Sequence, residues 1–391
     1  MDQDFFAETV AFIRELYGTE NIPLHRPLFE GNEIEYVTEC IKSNFVSSVG
    51  ARVNQFEKQV QVFTESPFAI AVVNGTTALQ VALQAAGVKA EEEVISQSLT
   101  FVATCNAIRY VNAHPIFVDV DLDTLGMSPT ALSKFLDQHA EIVDGETRNM
   151  TTGRRISACL PMHTFGLPCR IEEIAAICRS WNIPLIEDAA EALGSYEGNK
   201  HVGTFGEFAV FSFNGNKIIT TGGGGIVTTK DPELAAQMKH LTTTAKVPHP
   251  YEFVHDQLGY NFRMPNLNAA LGCAQMELLP EMLRIKQLVA ERYSDFFESI
   301  GVRFVTARSG SRSNYWLNAI ILDSRKERDA FLRYTNDLGL MTRPVWKLMT
   351  NLPMFRDCQT DGLANSRWLV SRVVNIPSSV PENVMHSDNG W

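Results

Sequence analysis

The strongest constraint on how this chain can fold is a regular alternation, between residues 68 and 229, of short apolar runs with amphipathic stretches of helical period. Phe68-Ala-Ile-Ala-Val-Val73 precedes a helical pattern from Thr76 to Ala86, and Glu93-Val-Ile-Ser96 precedes another from Thr100 to Val111. Further apolar runs lie at Pro115–Val118, Ile156–Met162, Pro184–Glu187, Phe208–Phe211 and Gly225–Thr228, with a helical stretch from Ile171 to Trp181. Apolar strands separated by crossover helices belong to a mainly parallel sheet covered on both faces. Such sheets bind ligands at the carboxyl ends of their strands. After about Lys246 the texture changes to long helical stretches, Asn266 to Glu277 and Glu281 to Ile300, then a strand-like Asn314 to Leu322 and a helix near Arg325 to Leu338. The expectation is an α/β fold with a large domain over 1–250, including an N-terminal arm, and a smaller C-terminal α+β domain over 251–391.

Bulk properties narrow the function. A chain of 391 residues, 45% hydrophobic, exceeds the usual size of one core. Its formal charge of −11 carries no basic run, which argues against nucleic acid as a partner. No apolar run is long enough to cross a bilayer, and acids among the first residues argue against a signal peptide, so no membrane partner is expected and the cytoplasm is the default location. The seven cysteines are scattered, with no CxxC pair and no histidines at ligand spacing; they read as reduced core thiols and no metal site is expected.

The chemistry concentrates in Phe211-Ser-Phe-Asn-Gly-Asn-Lys-Ile-Ile-Thr-Thr-Gly-Gly-Gly-Gly225, where a strand runs into a loop carrying Ser212 and Lys217. A partly buried lysine amine can lose its proton near neutral pH and form an imine; a lone lysine beside glycines is more often a surface residue. Three other segments change that balance. Asn74-Gly-Thr-Thr-Ala78 opens a helix and offers backbone N–H groups with the hydroxyls of Thr76 and Thr77 to a phosphate, or is an ordinary cap. Asp188 ends a buried apolar strand, where a carboxylate needs a partner: the protonated ring nitrogen of pyridoxal phosphate, or an arginine. Phe101 could stack on the pyridine face, or be core. Together, each at a strand's carboxyl end, these segments describe a pocket for pyridoxal 5'-phosphate.

Gly75-Thr-Thr-Ala78, Phe101, Pro161-Met-His-Thr-Phe-Gly166, Glu187-Asp-Ala-Ala-Glu191, Ser212 to Gly225 and Gly259-Tyr-Asn-Phe-Arg-Met-Pro265 resemble the DegT family of nucleotide-sugar aminotransferases over nearly the whole chain. That resemblance implies fold type I, with a large, mainly parallel, seven-stranded α/β/α domain. It implies Lys217 as the imine lysine, Asp188 on the pyridine nitrogen, Gly75, Thr76, Thr77 and Ser212 at the phosphate, Phe101 on the ring and Glu191 near its 3-hydroxyl. It also implies a homodimer with shared active sites, Asn261 reaching the phosphate held by the neighbouring subunit. His163 and Arg343 are candidate substrate contacts, although His163 reads equally as a satisfied core histidine. One departure is Gly223, where many members carry a glutamate.

Pro23 to Asn32, Phe45 to Gly50, Asn214 to Lys217 and Thr342 to Lys347 resemble one branch, which acts at C4 of UDP-4-keto-6-deoxy-N-acetylglucosamine. The implied reaction is transamination, with L-glutamate as donor and Lys217 as both anchor and base. A sugar dehydratase is the enzyme alternative, but such members replace the lysine with histidine. A non-catalytic pyridoxal phosphate-binding regulatory module is the other, and the chain before Pro23 is too short for a helix-turn-helix.

Overall fold

In the computed structural model, which describes residues 4–18 and 21–381, the alternation becomes one open sheet of seven strands. They are β1 (Phe68–Val72), β2 (Glu93–Gln97), β3 (His114–Val118), β4 (Ile156–Leu160), β5 (Ile186–Asp188), β6 (Phe208–Ser212) and β7 (Gly225–Thr229). Their spatial order is β1-β7-β6-β5-β4-β2-β3, with β4 and β5 joined by single bridges from Cys159 to Leu185 and from Met162 to Asp188. Every pairing is parallel except those of β7, which runs antiparallel to β1 and β6. A parallel return needs a crossover helix. The loop from β6 to β7, which carries Lys217, contains none, so β7 comes straight back.

The pleat sends alternate residues to opposite faces. Ile70, Val72, Val210 and Val227 pack on the side of helices Gly75–Ala85 and Pro232–Thr242, together with Leu79, Leu83 and Met238. Ala69, Ala71, Phe211 and Ile226 face the other way, onto Val53, Phe56 and Val60 of helix Ala51–Thr64. At the far end of the sheet, Ile95, Ile116 and Val118 meet Leu132, Phe135, Ile171 and Ile174. Helix starts are fixed by their caps: Ser128 and Asp231 accept from first-turn N–H groups, each followed by a proline at the first helical position.

Beyond the sheet, helix Asn266–Ser299 runs unbroken for 34 residues. The two separate helices expected either side of Pro280 are therefore one, although the proline removes an amide from the ladder. Four short strands, β8 (Arg303–Phe304), β9 (Asn318–Ile321), β10 (Arg343–Pro344) and β11 (Val373–Ile376), form an antiparallel sheet in the order β8-β9-β11-β10. The start of the chain packs here rather than on the large sheet: Phe5 and Phe6 of helix Asp4–Tyr17 meet Phe331, and Ile22 pairs with Leu340. Among the described residues no helix is long and apolar enough to cross a membrane, and no cluster of three metal-ligating side chains occurs.

Candidate active site

The carboxyl ends of β1, β5 and β6 open into a cavity of about 540 Å³, which C-terminal residues Trp316, Arg343 and Trp346 close from above. Lys217 stands in its wall, 8% exposed, because the loop after β6 turns back under the C-terminal elements. Its Nζ lies 3.1 Å from Glu191 Oε1 and 4.0 Å from the centre of the Trp316 ring. Trp316 is itself fixed, donating from Nε1 to the Asn216 carbonyl at 2.6 Å. The amine is therefore held between a carboxylate and an aromatic face. Burial pushes the Glu191 carboxyl up to about 7, against the pull of Lys217 and of the Phe165 N–H that donates to it at 2.9 Å.

Asp188, at the tip of β5, is 2% exposed and lines the same cavity. It accepts from the Thr104 hydroxyl at 2.7 Å and the Ala190 N–H at 3.2 Å, and among the described residues no cation pairs with it. Burial raises its pKa, and those two hydrogen bonds only partly offset the rise. A buried carboxylate in this state favours a cationic N–H brought by a ligand.

On the opposite wall, helix Gly75–Ala85 begins directly after β1, with the Asn74 side chain accepting from the Thr77 N–H at 2.8 Å. The first-turn N–H groups of Gly75 and Thr76 precede any intrahelical acceptor, and a helix start of this kind suits an anion. Ser212, at the end of β6, lies against that start. A Cβ on Gly75 would stand 3.0 Å from the Ser212 Cβ, so the close approach of helix and strand favours glycine there. At Gly223, where the sequence departs from the common pattern, an added Cβ would meet nothing nearer than the Val73 carbonyl at 3.8 Å, so sterics do not exclude a side chain.

Residues 27–384 match the DegT/DnrJ/EryC1/StrS aminotransferase family. The chain belongs to this family. EpsN of Bacillus subtilis strain 168, provisionally described as a pyridoxal phosphate-dependent aminotransferase, is 36% identical over 86% of this chain and 84% of its own. GDP-perosamine synthase of Escherichia coli O157:H7 is 35% identical over 91% and 93%. The crystal structure of the aminotransferase TlmJ from Streptoalloteichus hindustanus superposes with a TM-score of 0.82 at 26% identity, covering 91% of this chain and 93% of that one.

Against the aminotransferase pattern, the structure brings Lys217, Asp188, Glu191, Gly75, Thr76, Ser212, Phe101 and Arg343 around one cavity. Asp188 without a cation, the bare helix start beside Ser212 and the half-exposed Phe101 ring fit the ring nitrogen, phosphate and pyridine face of pyridoxal phosphate. Two of the residues expected there lie elsewhere, and a third is expected at the neighbouring subunit's site. Thr77 does not line the cavity, and its hydroxyl donates back to the Asn74 carbonyl at 2.9 Å. His163 is fully buried: its Nδ1 accepts from the Cys169 N–H at 3.3 Å and its Nε2 faces Glu187 at 3.2 Å. Glu187 also accepts from the N–H groups of Gly203, Phe205 and Gly206, so the pair is a core brace behind the sheet. Asn261 is exposed on its own chain, outside the cavity. Conversely, Thr104, Trp316 and Asn375 line the cavity without having been singled out from the sequence. For Asn375 the available signal was a lone amide in the apolar run Val373-Val-Asn-Ile376.

Proposed function

We propose that this aminotransferase moves the amino group of L-glutamate to C4 of a nucleotide-linked 4-keto-6-deoxy sugar, with Lys217 anchoring pyridoxal phosphate and serving as the base. The observation that carries this reading is the wall of the cavity: a buried lysine amine 3.1 Å from one carboxylate, facing a site whose other buried carboxylate has no cation. The cofactor, when bound, withdraws electrons from the substrate carbon attached to the exchanged nitrogen. The chain's own part is positional. Asp188 orients and charges the ring nitrogen, and Thr76, Ser212 and the helix start hold the phosphate. Lys217 Nζ takes the proton from the donor's Cα and, in the second half-reaction, delivers a proton to C4 of the sugar, while Glu191, 3.1 Å away and pushed up to about 7 by burial, is suited to hold a proton beside it.

UDP-4-keto-6-deoxy-N-acetylglucosamine is the preferred acceptor, supported by the segments at Pro23 to Asn32 and Thr342 to Lys347. A GDP-linked sugar is the second reading, favoured by the 35% identity with GDP-perosamine synthase over nearly the full chain. The active site is shared between two subunits. Exposed Asn261 supports this, lying in a loop whose neighbour Phe262 accepts from the Val73 N–H at 2.9 Å, beside the phosphate wall. The deciding experiment incubates the holoenzyme with L-glutamate and a panel of UDP-, GDP- and dTDP-linked 4-keto-6-deoxy sugars, identifying aminated products by mass and NMR. Amination of a UDP-linked N-acetyl sugar in preference to the others is expected; sole use of a GDP-linked sugar selects the second reading, and no product from any sugar refutes both.

A further inference from the structure

Among the described residues lining the cavity, Asn375, in β11 and 3% exposed, carries a buried side-chain donor, its amide Nδ2, with no acceptor. An amide desolvated in this way is costly unless a ligand completes it. Its cross-strand partner is Arg343. Directly paired residues of an antiparallel ladder send their side chains to the same face, a few ångströms apart. Arg343 lines the same cavity, and its guanidinium makes only long contacts, to Asn336 Oδ1 at 3.4 Å and the Thr342 carbonyl at 3.5 Å. No carboxylate among the described residues pairs with it.

We propose that Asn375 and Arg343 together seat the α-carboxylate of the amino donor, an assignment that rests on the glutamate-dependent reading above. A carboxylate presents two coplanar acceptors, and a guanidinium N–H beside an amide N–H supplies two donors to match. Among the cavity's lining residues the only cations are Lys217 and Arg343, and Lys217 serves the amine chemistry. The cofactor phosphate has its own seat at Gly75, Thr76 and Ser212. The remaining anions are the donor's carboxylates and the diphosphate of the nucleotide. The α-carboxylate is bonded to the reacting carbon, so its seat must lie in the same cavity as Lys217, whose wall includes the buried Asn375. A diphosphate is separated from C4 by the width of the sugar ring and carries a base that needs the open mouth.

Asn375→Leu and Asn375→Asp test the assignment in the holoenzyme. The probes are α-methyl-L-glutamate, which lacks the proton to be removed and is followed by the cofactor's absorbance, and UDP, followed by calorimetry. Because the amide has no partner to lose, Asn375→Leu should melt at the same temperature as the parent or higher without ligand. It should bind α-methyl-L-glutamate about tenfold to a hundredfold more weakly, as expected for losing a hydrogen bond to a charged group. Asn375→Asp, with a negative charge facing the donor's carboxylate, should weaken it at least as much, and UDP binding should be unchanged in both. Undiminished α-methyl-L-glutamate binding in either variant overturns the proposal, as does a parallel loss of UDP binding, which would place the diphosphate there. A markedly lower melting temperature for Asn375→Leu also overturns it, since the amide would then be structural. A wild-type enzyme that ignores α-methyl-L-glutamate yet is aminated by a different donor overturns the glutamate reading and this proposal with it.

Discussion

Replacing Asp188 by asparagine separates what its carboxylate does for the reaction from what it does for the fold. Asparagine keeps the shape: its oxygen can accept from the Ala190 N–H and its amide can donate to the Thr104 hydroxyl, the two contacts Asp188 makes now. What is removed is a charge that burial disfavours, on a side chain only 2% exposed. The ligand-free variant should therefore be no less stable than the parent, and more stable above the ordinary carboxylate pKa of about 4, where the unfolded carboxyl ionises readily and the folded one resists. The reaction should suffer. Removing one member of a buried charge pair costs about 3–5 kcal/mol, and a barrier raised by about 4 kcal/mol slows the rate about a thousandfold. Differential scanning calorimetry of the cofactor-free protein and stopped-flow absorbance of the glutamate half-reaction measure the two effects separately. A half-reaction within tenfold of the parent's would show that the carboxylate does not serve the ring nitrogen. A cofactor-free protein destabilised by more than about 2 kcal/mol would show that it braces the fold.

Borohydride treatment of the holoenzyme should fix the cofactor on Lys217, and Lys217→Ala should abolish both adduct and turnover; an adduct mapped by mass spectrometry to another lysine refutes the assignment. Lys286 is 2% exposed, donates to the carbonyls of Trp316 and Ser378, and is pushed down to about 7 by burial. The unfolded chain binds a proton there up to about pH 10 and the folded chain does not, so between about pH 7 and 10 the parent should gain about 1.4 kcal/mol of stability per pH unit relative to Lys286→Met. A constant gap in urea midpoints across that range would contradict this. Asn261→Ala and Lys217→Ala, each defective alone, should regain part of their activity when co-expressed with separate tags and purified as a heterodimer, because one site then holds both native residues. No recovery above the Asn261→Ala background would confine Asn261 to its own subunit.

The sheet was legible because buried strands are contiguous in sequence and announce themselves by apolar runs. What the runs did not carry was direction: β7 is as apolar as its neighbours, and only the absence of a helix after Lys217 reverses it. The hairpin Ala140–Val143 with Glu146–Asn149 is not legible because its large apolar residues, Ile142 and Val143, face solvent and give no buried-face signal. Site residues showed the same contrast. Lys217, Asp188, Glu191, Ser212 and Gly75 sit in compact motifs at strand ends, where position along the chain nearly fixes position in space. Thr77 and His163 sit in the same motifs but point away. Successive residues of a helix lie about 100° apart, so a start that turns Thr76 to the cavity turns Thr77 elsewhere. Met162 lines the cavity, and its neighbour His163 faces Glu187 behind the sheet. Adjacency in sequence predicted the neighbourhood, and backbone geometry chose which neighbour enters.

The C-terminal elements explain why the rest could not be read. Trp316 and Asn375 reach the cavity from segments whose local pattern is that of ordinary core, Trp316 just before β9 and Asn375 within β11. Trp316 lies against Lys217 and Asn375 lines the same cavity, and Lys286 of the long helix donates to the Trp316 carbonyl. The roof of the cavity is therefore fixed by packing among β9, β11 and helix Asn266–Ser299, while its floor is fixed by strand ends of the large sheet. Among the described residues Asp188 has hydrogen bonds but no cation, and the buried Asn375 amide has no acceptor. A site assembled from two layers, each with a group that only a ligand can complete, gains most of its binding energy when one ligand engages both layers at once, because each group is already desolvated and fixed in place before the ligand arrives.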